Sequence, residues 1–157
     1  MNDWLMLRKD KQSPDVEFRL NRSETSYHGA NHESRFLDEQ IYDLFSSCFA
    51  ESVEHDNKFN YYGPTKFRRS ELINLRIRLG QVESEMNSID SFDSLVSYFE
   101  HDEIDRRKHV LNSLRKQFDM EEKWSEVLLI IIETNRNLIG LVSQCIRENR
   151  ILWVLGL

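Results

Sequence analysis

The sequence is poor in the residues that turn or cross-link a chain: its 157 residues include five glycines, two prolines and two cysteines. The glycines stand singly, whereas a phosphate-cradling loop, a dinucleotide-binding turn or a hydrolase nucleophile elbow needs glycines at fixed spacing. Cys48 and Cys145 each fall at an apolar position of a helical pattern, which favours small buried side chains over a disulfide or a redox pair. These scarcities argue against nucleotide-dependent chemistry and indicate a reducing compartment.

Long apolar runs are also missing. The longest is VLLIII at residues 127–132, far short of the roughly 20 residues that span a bilayer. The opening residues, MNDWLMLRKD, contain Asp3 and lack the charged-then-apolar order of a secretory signal. We therefore expect a cytoplasmic protein that has no membrane partner.

Candidate catalytic and metal-binding groups are few. Zinc sites need clustered cysteine and histidine, yet the only close histidines are His28 and His32, with Gly29 between them in a predicted loop. His101 and His109 could act as an acid or a base by type, but no companion nucleophile accompanies them. We therefore expect a protein that is not an enzyme, holds no metal and needs no cofactor.

Short runs near both ends of the chain have the character of β-strands. In residues 16–20, three apolar side chains alternate with Glu17 and Arg19, which is the period of a strand with one buried face. We expect residues 4–8 to pair with this run as a hairpin or an edge pair. The closing residues ILWVLGL, 151–157, predict a buried strand that pairs with the N-terminal strands.

Helical patterns fill most of the remaining chain. We expect a helix capped by Asn31 and ending near Glu54, one with a heptad-like seam over residues 72–89, a short one from Asp90, one from about Glu103, and a long central helix after Asp119. Asn135 lies in the apolar stripe of the central helix, either as a hydrogen-bonded core residue or as a group facing a pocket. The patterns predict one α+β domain over residues 1–157, predominantly helical, with a small sheet from the N-terminal hairpin and the C-terminal strand.

The segment NYYGPTKFRRSEL, residues 60–72, combines two tyrosines, a Gly-Pro step and three basic residues. Its structural interpretation is a turn at Gly63 followed by a helix start at Pro64, with Thr65 or Ser70 as the cap. Its functional interpretation is a secondary site for an anion or RNA, because basic side chains beside aromatic rings suit nucleic-acid strands. The residues of that secondary site would be Tyr61, Tyr62, Lys66, Arg68 and Arg69. We favour the structural interpretation.

Acidic residues are unevenly distributed along the chain. Residues 79–105 contain eight acids and no lysine or arginine: Glu83, Glu85, Asp90, Asp93, Glu100, Asp102, Glu103 and Asp105. A second block, residues 36–57, contains six acids and again no base. Such runs are often only a solvated face, but two of them in a chain of formal charge −6 also suit a surface that captures a basic protein. The same charge balance argues against nucleic acid as the main partner. We therefore assign the eight acids as candidate partner-binding residues.

YYGPTKF before a long helix, together with the closing RENRILWVLGL, resembles a set of small uncharacterised bacterial proteins. Some of those proteins resemble immunity proteins encoded beside secreted or contact-dependent toxins. The resemblance implies a non-catalytic antidote that binds a cognate toxin domain, often a basic nuclease, and blocks its active site. It carries over no functional residues. The alternative is a regulatory or scaffold interaction domain, and the third possibility is an RNA-binding module or an enzyme centred on residues 61–78.

Overall fold

The structure is a computed structural model, and it describes residues 3–12, 14–22, 33–101 and 106–156. Within these ranges the chain forms four strands and six α-helices. The strands are β1 (Asp15–Asn21), β2 (Arg35–Asp38), β3 (Pro64–Phe67) and β4 (Ile151–Leu155). The helices are α1 (Glu39–Tyr42), α2 (Ser46–Ser52), α3 (Arg69–Asn87), α4 (Phe92–Glu100), α5 (Arg106–Gln117) and α6 (Met120–Arg147). The predicted class, α+β with a predominance of helix and a small sheet, is confirmed.

The four strands form one antiparallel sheet in the order β2-β1-β4-β3. The last strand of the chain is therefore an inner strand, with β1 on one side and β3 on the other. Leu152 and Val154 lie opposite Leu20 and Phe18 of β1, and all four side chains belong to the hydrophobic core. The predicted buried C-terminal strand that pairs with an N-terminal strand is confirmed.

The predicted strand at residues 4–8 is wrong. Asp3–Leu5 forms a single 3-10 turn, and Arg8 makes only an isolated antiparallel bridge to Phe36. The hairpin partner of β1 is β2, which lies inside the segment expected to be a continuous helix. A four-residue strand whose two middle side chains are both buried has no alternation for a sequence pattern to detect.

The helix expected to end near Glu54 is divided into two short helices. Asp38 is the N-cap of α1, and its side chain accepts a hydrogen bond from the backbone N–H of Gln40 at 2.9 Å. Residues 43–45 then interrupt the helix before α2 begins. Asn31, the predicted cap, lies outside the described residues.

The segment expected to start a helix at Pro64 is instead the edge strand β3. Pro64 is the first residue of that strand, where a missing N–H is tolerated, and α3 begins only at Arg69. Thr65 and Phe67 point inward while Lys66 is half-exposed, so the alternation is real but only four residues long. The outer edge of β3 is covered, because Asn57 donates to the Lys66 carbonyl at 2.7 Å and Thr65 accepts from the Asn60 N–H at 2.9 Å.

The two longest helices pack together and hold the main core. The seam of α3 is confirmed: the buried residues Leu72, Leu75, Leu79, Val82 and Met86 follow steps of three and four. On α6, Asn135 is fully buried, and its Nδ2 donates to the Leu79 carbonyl of α3 at 2.9 Å. Of the two alternatives for Asn135, the hydrogen-bonded core residue is therefore confirmed.

The starts of the later helices differ in detail from expectation. Asp119 is the N-cap residue of α6, as expected from its position before the long helix, but its side chain forms no capping hydrogen bond. Helix α4 begins at Phe92 after the N-cap Ser91, two residues later than predicted. Helix α5 is described from Arg106, and its predicted start at Glu103 lies outside the described residues.

Both cysteines are buried and free, as predicted from their positions, and their burial has a measurable consequence. Burial raises the pKa of Cys48 to about 11 and that of Cys145 to about 12, from an ordinary value of 9.0. It also raises the pKa of Tyr42, Tyr61 and Tyr98. In each case the folded state holds the proton more tightly than the unfolded state.

We expect the contribution of these two thiols to the free energy of unfolding to be constant below pH 9 and to decrease as the pH rises toward 12. The unfolded thiols ionise near pH 9 while the buried thiols stay neutral, and one pKa unit corresponds to about 1.4 kcal/mol. Urea denaturation at several alkaline pH values measures the fall. The double variant Cys48→Val and Cys145→Val should show a shallower fall. Rapid reaction of the native protein with a thiol reagent at neutral pH would contradict the expectation.

Candidate functional site

The structure brings four of the predicted partner-binding acids to one corner of the molecule, which we call the acidic corner. Its residues are Glu85 near the end of α3, Asp90 in the turn that follows, and Asp93 and Glu100 on α4. All four side chains are exposed, and none forms an ion pair within the part of the chain that the structure describes. Asp102, Glu103 and Asp105 lie outside the described residues.

Glu83 is not part of the acidic corner. Residues two apart on a helix are separated by about 200° around its axis, because each residue turns the helix by about 100°. Glu83 therefore faces α6, where it accepts a hydrogen bond from Nε of Arg136 at 2.7 Å. The sequence places Glu83 and Glu85 in one acidic run, and the rotation of the helix separates them.

The turn between α3 and α4 holds the acidic corner in place. Ser91 and Ser94 form a reciprocal capping box at the start of α4, with Ser91 accepting from the Ser94 N–H at 3.1 Å. The Ser94 hydroxyl also donates to the Asp90 carboxylate at 3.3 Å. Asp93 lies in the first turn of α4, where a negative charge is favoured by the helix dipole. Asp90 and Asp93 therefore also stabilise the start of α4.

A groove opens beside the acidic corner, between the end of α3, one face of α4 and the start of α5. We call it the α3–α4–α5 groove, and its volume is about 580 Å³. It is lined by Glu85, Ser88, Ile89, Ser94, Ser97, Tyr98, His101 and Arg107. The residues come from three helices and from the turns that follow α3 and α4, and they follow no motif in the sequence, so sequence reasoning missed the groove.

Tyr98 forms the aromatic wall of the α3–α4–α5 groove. The guanidinium of Arg107 lies over its ring, 4.8 Å from the ring centroid. The Tyr98 hydroxyl oxygen is buried, and the Glu85 carboxylate is its hydrogen-bonding neighbour. Burial raises the pKa of Tyr98 well above its ordinary value, with Arg107 opposing and Glu85 reinforcing the shift.

Helix α5 has the opposite charge to the acidic corner. Its residues 106–117 include five lysines and arginines and no acid, and it packs against α4. Its first two arginines are already engaged, because Arg107 covers Tyr98 and Arg106 lies 3.7 Å from the ring centroid of Tyr61. The acidic corner is therefore bordered on one side by a basic helix whose first cations interact with rings of the chain itself.

Most side chains of the predicted secondary site make contacts within the chain. Tyr61 donates its hydroxyl hydrogen to the Asp43 carboxylate. Burial raises the pKa of Asp43 above its ordinary value, and this hydrogen bond opposes part of the rise. Arg68 lies 3.2 Å from Glu71 and 3.3 Å from Asp56, and Arg69 donates to the Ile146 carbonyl at 2.9 Å. Lys66 is half-buried on β3, whereas Tyr62 and Arg69 are exposed. These contacts favour a structural role for the segment, as an edge strand and the entry to α3 and not as the expected helix start at Pro64.

The second acidic block is also engaged within the fold. Asp38 caps α1, Asp43 accepts from Tyr61, and Asp56 lies beside Arg68. Glu51 accepts from Arg78 of α3 at 2.5 Å. Four of the six carboxylates of this block therefore have partners within the chain.

The described ranges contain no group of three or more histidines, cysteines or acids placed to hold a metal ion. His28 and His32 lie outside those ranges. In the same part of the chain, no helix combines the length and the apolar character needed to cross a bilayer.

Comparisons with protein-family models, with curated proteins and with solved structures find no match to this chain. By its fold, the described part of the chain belongs to the α+β class, with one four-stranded antiparallel sheet and six α-helices.

Proposed function

We propose that this chain is a non-catalytic protein-binding protein, and specifically an immunity protein that neutralises a basic bacterial toxin by direct binding. The observation that carries the proposal is the acidic corner, where four exposed carboxylates face solvent without an ion-pair partner in the described part of the chain. The basic residues at the start of α3 are less available, because Arg68 lies beside Glu71 and Arg69 donates to the Ile146 carbonyl.

The physical basis of the proposal is long-range attraction between surfaces of opposite charge. Complementary charges at the rim of an interface mainly speed encounter and select the partner, whereas they contribute less to the lifetime of the complex. A basic nuclease carries the positive surface that such a corner attracts. The resemblance of YYGPTKF and RENRILWVLGL to immunity-like proteins supports the narrower assignment to a toxin antidote.

The proposal is tested by reversing Glu85, Asp90, Asp93 and Glu100 to lysine. The binding partner in the test is the protein encoded by the gene immediately upstream of the gene for this chain. Stopped-flow mixing measures the association rate at two salt concentrations. We expect the association rate to fall by an order of magnitude or more. The loss should shrink at high salt, since charges are screened over about 8 Å at physiological ionic strength.

A matched control reverses four exposed acids of α6 instead: Glu121, Glu122, Glu126 and Glu133. It changes the net charge by the same amount, and we expect its association rate to stay within about threefold of the parent rate. Equal effects of both sets would reject the acidic corner as the binding surface. If the parent chain binds the upstream protein but fails to protect growing cells from it, the regulatory or scaffold alternative replaces the immunity role.

A further inference from the structure

We infer that the aromatic ring of Tyr62 receives a cationic side chain, an arginine or a lysine, from the partner protein. The inference rests on the proposed function for the charge of the partner, and it goes beyond that function in naming a contact that prolongs the life of the complex. Tyr62 lies in the bend at residues 60–63 that precedes β3, which we call the tyrosine bend. It acts through an uncharged aromatic face, whereas the acidic corner acts through carboxylates.

Tyr62 is far more exposed than the other tyrosines that the structure describes. It is 65% exposed, whereas Tyr42 is 1% exposed and both Tyr61 and Tyr98 are partly buried against the core. A single exposed apolar residue is ordinary at a protein surface. The distinguishing features of Tyr62 are the rigidity of the tyrosine bend and the chemistry of its neighbours.

Contacts on both sides hold the tyrosine bend in one conformation. The Asn60 side chain accepts from the Tyr62 N–H at 3.2 Å, and the Thr65 hydroxyl accepts from the Asn60 N–H and donates to the Asn60 carbonyl. Gly156, just after β4, packs so closely that a Cβ on it would collide with the Tyr61 carbonyl oxygen. Binding at Tyr62 therefore orders little additional backbone, which reduces the entropic cost of the contact.

The ring of Tyr61 supports the ring of Tyr62. The two ring centroids lie 4.7 Å apart with the planes at 82°, an edge-to-face arrangement. Tyr61 is itself fixed, because its hydroxyl donates to the Asp43 carboxylate and its ring packs 6.0 Å from the buried ring of Tyr42. The exposed ring therefore stands on aromatic residues that continue into the core.

Two other tyrosines of the chain already hold an arginine over the ring. The guanidinium of Arg106 lies 3.7 Å from the ring centroid of Tyr61, and that of Arg107 lies 4.8 Å from the ring centroid of Tyr98. A cation within about 6 Å of an aromatic ring centroid is attracted by the quadrupole of the ring. Among the described residues, no lysine or arginine takes the equivalent place over Tyr62. Its ring is therefore open to a cation from another protein.

The charges around the tyrosine bend favour a cation over an anion. Arg106 lies 4.0 Å from the Asp43 carboxylate, so its positive charge is balanced within the chain. Burial is the main cause of the raised pKa of Tyr61, and the negative charges of Asp43 and Glu39 add to the rise, which indicates that both carboxylates lie close to the bend. A nucleic-acid base stacked on Tyr62 would bring phosphates toward these carboxylates, whereas a basic protein brings cations.

The test compares three substitutions of Tyr62 in complexes with the protein encoded by the upstream gene. Tyr62→Phe keeps the ring, Tyr62→Leu keeps an apolar side chain without a ring, and Tyr62→Ala removes both. We expect the dissociation rate to stay within about twofold of the parent rate for Tyr62→Phe and to rise about tenfold for the other two. The association rate should change less than about twofold in all three, because no charge is altered.

Leu129→Ala is the matched control, because Leu129 is 66% exposed on α6 and so is as accessible as Tyr62. We expect this variant to associate and dissociate like the parent chain. Thermal melts of all four variants should closely match that of the parent, since surface substitutions usually have small effects on stability.

The pattern of the three dissociation rates separates the cation contact from other uses of Tyr62. A parental rate for Tyr62→Leu would show an apolar pocket around the side chain, and a faster rate for Tyr62→Phe would assign the contact to the hydroxyl. Either result overturns the cation contact. A single-stranded oligouridine that binds the parent chain but not Tyr62→Ala would also overturn it, by assigning the ring to a base.

Failure of this inference can be distinguished from failure of the proposed function. If all three Tyr62 variants dissociate like the parent while reversal of the acidic corner slows association, only the tyrosine contact is wrong. If the parent chain does not bind the upstream protein, the proposed function and the tyrosine contact are both wrong.

Discussion

Deletion of residues 151–157 should leave an insoluble or molten chain instead of a smaller folded domain. The deleted segment contains β4, which is hydrogen-bonded to β1 on one side and to β3 on the other. Leu152, Trp153 and Val154 are no more than 7% exposed, and complete burial of a large apolar side chain contributes about 1.5–3 kcal/mol. The sum is comparable to a typical total stability of about 5–15 kcal/mol.

Circular dichroism melts and dye binding to exposed apolar surface measure this effect. The control is Ile151→Ala, at the half-buried start of β4, which should keep a cooperative melt at a lower temperature. The prediction is wrong if the truncated chain melts cooperatively near the temperature of the full chain, since β4 would then be dispensable to the sheet.

Glu71→Ala should destabilise the protein by about 3–5 kcal/mol, the range found when one partner of a buried charged network is removed. Glu71 is fully buried at the third position of α3. Its Oε1 accepts from the backbone N–H and the Nε of Arg68, both at 3.2 Å. Its Oε2 accepts from the Glu54 N–H at 3.0 Å and from Nδ2 of Asn57 at 2.7 Å.

The substitution leaves four donors without their acceptor and disconnects the start of α3 from the end of α2. Glu71→Gln keeps the shape but turns an N–H₂ toward these donors, so it should also destabilise, by a smaller amount. Glu85→Ala, an exposed acid on the same helix, is the matched control and should leave the unfolding midpoint in denaturant nearly unchanged. A Glu71→Ala midpoint equal to that of the control would show that the carboxylate network is not stabilising.

Local sequence patterns were sufficient for the long elements. The seam of α3 repeats over several turns, and each repeat adds to the same inference, so its buried face was predicted correctly. The apolar closing residues of the chain likewise predicted the strand β4. These patterns also supported the α+β class, because the chain contains segments with the period of a helix and segments with the period of a strand.

Short elements depended on partners far away in the sequence. Strands β2 and β3 have four residues each, too few for a period to be recognised, and they form because β1 and β4 offer edges to pair with. The propensity of residues 36–54 for a continuous helix was overridden by that pairing. A single-sequence pattern carries no information about which edge lies nearby in space.

The candidate site shows the same division between sequence and structure. The sequence alone determined that acids are abundant between residues 79 and 105, that no recognised catalytic motif accompanies them, and that a helical core carries them. Only the tertiary structure decided which carboxylates remain available: the rotation of α3 turns Glu83 toward Arg136, and the fold pairs Glu51 with Arg78. The groove around Tyr98 exists only where three helices meet. Charge and periodicity are properties of neighbours along the chain, whereas ion pairs and cavities depend on distances that folding alone establishes.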